Sequence, residues 1–251
     1  MNIIQKVNRS RYTLKEILGE EWNITTVPDF SDQEIEKVYN VSSAKNSTLS
    51  SFGIAAACNF TLKHNFVPSH KLHIIYYNFP EIGRNSSKVT KSSCDKIMNL
   101  YKSELVDFED SLIIIINDTI SQSLEKSYAE LNVNLQGDFE GKDLNEDFVK
   151  EMKDNDYFLE KKHFRNVHIL NINSLTNNLL KHRLVPQHKV IRKRVDIEEI
   201  LQKSNCKTNQ LPIILKNDII SKLKRLATGD ICEIERKNDK LGTTLFYRIC
   251  K

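Results

Sequence analysis

The chain is short of the residues that break or cross-link a backbone. It holds 7 Gly and 5 Pro in 251 residues, which excludes a collagen-like or low-complexity chain. Five cysteines are too few, and too scattered, for a covalent scaffold. Cys58, Cys94, Cys206, Cys232 and Cys250 make an odd number, and no two stand as CxxC. Zinc-ribbon and disulfide-framework readings therefore fail, and a reducing compartment follows. Long apolar runs are missing too. The longest block is Leu112 to Ile116, far below a membrane span, and the N-terminus has no signal-peptide core. These absences predict a soluble intracellular protein with no membrane partner. Charge of one sign is also scarce: 37 Lys and Arg against 33 Asp and Glu leave +4. A histone-like DNA binder needs far more, so any nucleic-acid contact is expected from a local patch. No Walker loop, GxSxG or HExxH occurs.

What remains is a chain of globular composition, 39% apolar and 28% charged, long enough to bury a core. Ile3, Ile4, Val7, Leu14, Ile17 and Leu18 recur at helical spacing, and Gly19 is a stop. Ser31-Asp32-Gln33-Glu34 is a capping box opening a helix with Ile35, Val38 and Tyr39 on its apolar face. The Ser/Asn-rich run from Ser42 to Ser51 predicts a loop. Phe52 to Leu62 and Leu72 to Phe79 predict strands, and Ser92 to Glu104 a helix with Ile97, Leu100 and Tyr101 on one face. Leu112 to Ile116 predicts a strand buried on both faces, and Thr119 to Leu131 a helix capped by Thr119 or Ser121. Val167 to Ile172 predicts a further strand. Alternating strands and helices imply an α/β layer, α+β overall.

Between these lies an acidic stretch within about residues 132–165, densest from Gly137 to Glu160. It predicts a surface insertion, helical in part from Asn145 to Lys153. It has no calcium-loop spacing, so a solvated loop is preferred to a metal site.

The last seventy residues pack many elements tightly. Val195 to Gln202 predicts a helix, Leu211 to Leu215 an edge strand, and Asp218 caps a helix through Arg225. Thr228-Gly229-Asp230 is a turn. Ile231 to Arg236 and Thr244 to Ile249 form a hairpin across the polar loop Lys237 to Gly242.

Within this stretch stand His182-Arg183-Leu184-Val185-Pro186-Gln187-His188, then Asn209-Gln210-Leu211-Pro212, Asp218, Thr228-Gly229-Asp230-Ile231, Ile234, Arg236, Gly242 and Tyr247-Arg248. In order and spacing this series resembles the fifth subunit of eukaryotic-type DNA-directed RNA polymerases, and it is similar to that subunit's small archaeal counterpart. The resemblance implies a C-terminal assembly domain over 175–251 that docks on the largest polymerase subunit. It continues more weakly upstream. There it implies an N-terminal jaw domain over 1–174, with a restriction-endonuclease-like sheet flanked by helices, lying near downstream duplex DNA. A jaw argues against an archaeal source. It suggests a nuclear enzyme, or one carried in the virion and cytoplasmic factory of a large DNA virus.

Three departures qualify it. The family has a Thr-Pro-Ser-Ala run after the buried strand, where this chain has Thr119-Ile120-Ser121-Gln122 without the proline. The acidic insertion has no family equivalent. The helix of the second domain ends in a Gly-containing turn in the family, but in Leu226-Ala227 here.

The candidate sites follow. Asn117, Thr119, Ser121 and Gln122 stand where a loop and helix start could meet a phosphate, although Asp118 would repel it. His182 and His188 flank Leu184-Val185-Pro186, which predicts a rigid extended link rather than a metal pair. Lys189, Arg192, Lys193 and Arg194 form a basic run, readable as a contact to nucleic acid or an acidic partner, or as a solvated helix start. His182, Leu184, Val185, Pro186, His188, Gln210, Leu211, Pro212, Asp218, Gly229, Arg236, Gly242, Tyr247 and Arg248 are assigned to the assembly interface or the fold it needs. No catalytic residue, cofactor or metal is expected. Glu81-Ile82-Gly83-Arg84 lacks the lysine of a magnesium nuclease, and Leu112 to Ile116 carries no carboxylate. The expectation is a non-catalytic polymerase subunit. The alternatives are a freestanding DNA-binding regulator and a degenerate nuclease fold.

Overall fold

The computed structural model describes residues 1–41, 52–139, 144–155, 163–238 and 242–251. The Ser42 to Ser51 loop and the centre of the hairpin loop fall outside them, as do 140–143 and 156–162 of the acidic stretch. The chain divides into two compact units, one of residues 1–144 with 164–178, the other of 145–163 with 179–251.

The first unit begins with α1 (Ile3–Leu18). Asn2 and Gln5 close a reciprocal cap at its start, and Gly19 ends it. The short β1 (Trp22–Asn23) leads to α2 (Asp32–Val41), where the Glu34 side chain accepts from the Ser31 N–H and the Ser31 hydroxyl from the Glu34 N–H, as the capping box requires. Ile35 and Tyr39 are fully buried. Then come β2 (Phe60–His64), β3 (Lys71–Tyr77), α3 (Ser92–Lys102), β4 (Ser111–Ile116), α4 (Gln122–Phe139) and β5 (Val167–Asn171). The sheet order is β1-β2-β3-β4-β5, antiparallel up to β3 and parallel from β3 to β5.

The run of four isoleucines in β4 belongs on a strand because both of its faces are dry. Leu112, Ile114 and Ile116 pack with Ile97 and Leu100 of α3 and with Leu124, Tyr128 and Leu131 of α4. On the opposite face, β3 presents Tyr76, whose hydroxyl meets Ser10 of α1 at 2.8 Å. Every residue of β4 is buried.

Two expectations for this unit change. Phe52 to Leu62 is a strand only in its second part; Ile54–Cys58 is a 3-10 helix. Gly53 takes φ +116, and a Cβ there would stand 3.3 Å from the Asn78 backbone nitrogen. The Phe52 carbonyl accepts from that same N–H at 2.8 Å, so the chain turns at Gly53 rather than extending. The three alanines after it favour a helical turn over a pleat. The second change is at α4, which runs on to Phe139. Residues 132–139, assigned from sequence to the insertion, are therefore its last two turns. Asn132 anchors them by accepting from the Val167 N–H and donating to its carbonyl.

The second unit contains α5 (Glu146–Asn155), started by Asn145, whose side chain accepts from the Asp147 N–H. It continues with β6 (Gln187–Ile191), α6 (Arg194–Lys203), β7 (Ile213–Ile214), α7 (Ile219–Leu223), β8 (Ile231–Asn238) and β9 (Gly242–Cys250). The sheet order is β6-β8-β9-β7. Its two faces are separately covered. Ile191, Ile231 and Ile249 pack with Ile197, Ile200 and Leu201 of α6, while Cys232, Ile234 and Cys250 pack with Ile214 and Leu226. β6 is a correction: the end of the extended link, Gln187 and His188, continues through Lys189 of the basic run into an edge strand paired antiparallel with β8, while Arg192 and Lys193 follow it and Arg194 begins α6. Exposed Gln187 and Lys189 on its rim are what an edge strand carries against unwanted pairing. The α/β class, α+β overall, stands, with a mixed sheet in each unit.

Candidate functional site

The assembly residues divide by what their side chains do. One group builds the second unit. Leu211 is buried among Ile191, Ile200, Ile231 and Ile249, and the Pro212 carbonyl accepts from the Ile249 N–H at 2.8 Å. The Gln210 side chain accepts from the Lys207 N–H. Asp218 caps α7 through the Ile220 N–H at 2.8 Å. Gly229, at φ +94, donates its N–H to the Cys250 carbonyl, and Gly242, at φ +73, opens β9. At the end of α7 Arg225 takes φ +54. Its N–H bonds Lys222 and that of Leu226 bonds Ser221, closing the helix at the cost of a left-handed arginine.

The other group lies exposed or half-buried near the surface. Leu184 is 74% exposed after a turn in which the Val185 N–H bonds the His182 carbonyl. The His182 ring accepts from the Leu184 N–H. Pro186 presents its carbonyl to Nδ1 of His188 at 2.7 Å. Burial lowers the His188 pKa, opposed by that carbonyl and by Asp218, and reinforced by Lys224 and Arg236. The Arg236 guanidinium lies 4.6 Å above the Phe246 ring. Arg248 donates to the Ile213 carbonyl at 3.2 Å. The Tyr247 hydroxyl donates to Glu233 at 3.0 Å on the opposite face of the sheet.

The centre of this unit was missed from sequence. Asp230 is fully buried, with His163 Nδ1 at 2.9 Å and Arg192 Nε at 3.5 Å, and it accepts from the Ala227 N–H at 2.9 Å. Burial alone would raise its carboxyl pKa. His163, Arg192 and the Ala227 N–H outweigh burial and hold it at about 2. Arg192 thus leaves the basic run: it is buried and also donates to the Arg225 carbonyl. The sequence signal was the Thr-Gly-Asp turn itself, whose acid is placed to reach back to its own Ala227 N–H.

In the first unit, the DNA-facing candidates stand beyond the C-terminal end of β4. Asn117 donates to Ser86 Oγ at 2.8 Å. The Ser121 hydroxyl caps α4 by accepting from the Leu124 N–H at 3.2 Å, and Gln122, its first residue, is exposed. Asp118 accepts from the N–H groups of Thr119 at 2.7 Å and Val89 at 3.2 Å. The chain's own carboxylate therefore occupies two donors that a phosphate would use. Replacing Ser121 with alanine is expected to cost about 1 kcal/mol of stability, read as a fall in urea midpoint. Among the described residues no group of three or more His, Cys, Asp or Glu side chains converges as a metal site would need, and no helix is long and apolar enough to cross a membrane.

Comparison with known proteins follows the second unit closely. The profile of the RNA polymerase Rpb5 C-terminal domain matches residues 177–250. DNA-directed RNA polymerase subunit Rpo5 of Nitrosopumilus maritimus is 40% identical over 67 residues, 27% of this chain and 80% of that one. Rpo5 of Staphylothermus marinus is 39% identical over 71 residues, 28% of this chain and 77% of that one. The Dictyostelium discoideum protein named as subunit rpabc1 of DNA-directed RNA polymerases I, II and III is 33% identical over 73 residues, covering 29% of this chain and 36% of that one. The chain belongs to the Rpb5/Rpo5 family of DNA-directed RNA polymerase subunits.

Proposed function

We propose that this chain is a non-catalytic subunit of a multisubunit RNA polymerase. Its residues 175–251 dock on the largest subunit, and residues 1–174 form a jaw near downstream DNA. The observation that carries the docking role is the apolar surface left on a unit whose own core is complete. Leu184, Leu215, Leu245 and Phe246 are all more than 40% exposed there. Surface of that kind is expected at a protein interface. Nucleotidyl transfer belongs to the large subunits, and this chain contributes assembly and positioning. In a cell the complex would act in the nucleus; for a viral gene it would act in the cytoplasmic factory and be packaged in the virion.

Affinity purification of the tagged full chain from its own source tests this. Stoichiometric large polymerase subunits are expected, and recovery of a lone monomer would sink the proposal. Deleting Lys237 to Lys251 is too blunt a test, because β9 pairs with both β8 and β7 and its loss would dismantle the sheet. The jaw role is tested separately. A photo-crosslinker at Gln122 of the assembled enzyme should label downstream duplex, and labelling no better than at Val133, an exposed position on α4, removes DNA from the account.

A freestanding DNA-binding regulator is disfavoured by the charge of residues 1–178, which carry 20 Lys and Arg against 25 Asp and Glu.

A further inference from the structure

The charge of the chain is divided unevenly along its length. Residues 179–251 carry 17 Lys and Arg against 8 Asp and Glu, so the mild overall excess comes entirely from the second unit. The register of the second sheet divides that charge again, by face. Ile234 pairs with Phe246, Cys232 with Arg248 and Arg236 with Thr244, so these side chains share one face with His188, which pairs with Ile234. Glu233 and Glu235 alternate onto the other face, together with Gln187, Lys189, Leu245 and Tyr247. The first face therefore has no strand carboxylate. Its inner half is buried against Leu226 and Ile214. Beyond that buried patch lie exposed Arg236 and the half-buried His188 and Arg248, around Phe246, which is 42% exposed with the Arg236 guanidinium 4.6 Å from its ring. The nearby Asp218 is engaged as the cap of α7.

We propose that this outer half-face is the docking surface for an acidic segment of a partner polymerase subunit, anchored by an apolar side chain against Phe246 and flanked by carboxylates that pair with Arg236 and Arg248. This rests on the docking role above and specifies the chemistry of what docks. Three observations favour a protein segment over nucleic acid. Arginine beside an exposed aromatic ring is the composition of a protein interface centre, and here Lys224 adds a further cation near His188. The exposed Leu184 and Leu215 in the same unit suit a protein interface, whereas nucleic-acid interfaces are more polar. The Arg248 guanidinium is held at one nitrogen by the Ile213 carbonyl at 3.2 Å, and a guanidinium has five N–H donors, so others remain for a carboxylate.

The test compares two charge reversals in the full tagged chain, assembled in its own polymerase. Arg236→Glu with Arg248→Glu is expected to reduce polymerase recovery by ~10-fold or more, and wild-type recovery should fall as salt rises. Lys237→Glu makes the same kind of change at the next residue, on the opposite face, and should stay near wild type. If the double reversal loses its own melting transition, Arg236→Gln with Arg248→Gln replaces it, with the same expected direction. Wild-type recovery by a folded double variant overturns the acidic-segment proposal and leaves docking intact through another surface. Failure of the wild-type chain to recover polymerase brings down the docking role and this proposal with it. Loss of wild-type recovery on nuclease treatment assigns the face to nucleic acid and overturns it as well.

Discussion

Asp230→Ala is expected to destabilise the second unit by about 3–5 kcal/mol, the cost of breaking a buried charge cluster from one side. The carboxylate holds together groups far apart in sequence: His163, Arg192 and the Ala227 N–H. Its own backbone belongs to the same junction, because the Asp230 carbonyl accepts from the Cys250 N–H at 2.8 Å. Removing the side chain takes the buried Asp230 carboxylate away from the Arg192 guanidinium and His163 while the backbone contacts stay. The loss should appear as a lower urea midpoint and as faster hydrogen exchange across β8 and β9. Asp230→Asn keeps the shape and one acceptor, so it should cost less. The pH dependence has a definite sign. The folded carboxyl, at about 2, lies below an ordinary carboxyl near 4, so its contribution is present above pH ~4 and is lost as pH falls toward 2. The size of that contribution is on the order of 2 kcal/mol. A urea midpoint indifferent to pH between 4 and 2 in wild type, or unchanged in Asp230→Ala, would refute this assignment.

The same cluster shows where reading a sequence stops. The order of elements in the second unit was legible because each carries its own local signal. Asp218 precedes its helix, Gly229 sits within its turn, and β8 and β9 alternate. β6 was not legible, because its Gln187, His188 and Lys189 look like a polar link until a partner strand supplies the other half of the ladder. Arg192 looked like one cation of a basic run, since nothing local distinguishes a buried arginine from its solvated neighbours. Its acid, Asp230, lies 38 residues away, and His163 lies 67 residues from that acid, separations that no periodicity records. The assembly motif showed the same division. Sequence selected Arg236 and Arg248 together with the purely structural Leu211 and Gly229. Only the register puts the two arginines on one face with Phe246, which sequence had passed over.

In the first unit the largest effect is expected at β4. Ile114→Ala should cost about 2–5 kcal/mol, the range for a large-to-small change in a core that relaxes incompletely. Ile114 is fully buried and pairs in register with Ile75 of β3 and Ile169 of β5, both buried too. Its side chain stands in the cluster where α3 and α4 meet the sheet, alongside Ile97, Leu100, Leu124 and Tyr128. Ile75 and Ile169 on either side are held in the strand ladders, so the sheet cannot close over the space left behind. Ile114→Val removes only one methylene and should cost about 0.5–1.5 kcal/mol. The graded pair separates a packing role from strand propensity, since valine is as good a strand former as isoleucine. Thermal unfolding of the two variants, with hydrogen exchange at residues 111–116, reads the difference. Equal, small losses in both would mean that the run of isoleucines sets the strand without packing tightly. A loss confined to alanine would place the stability of this sheet in the cluster beneath α3 and α4, the support on which the Asn117 to Gln122 segment is mounted.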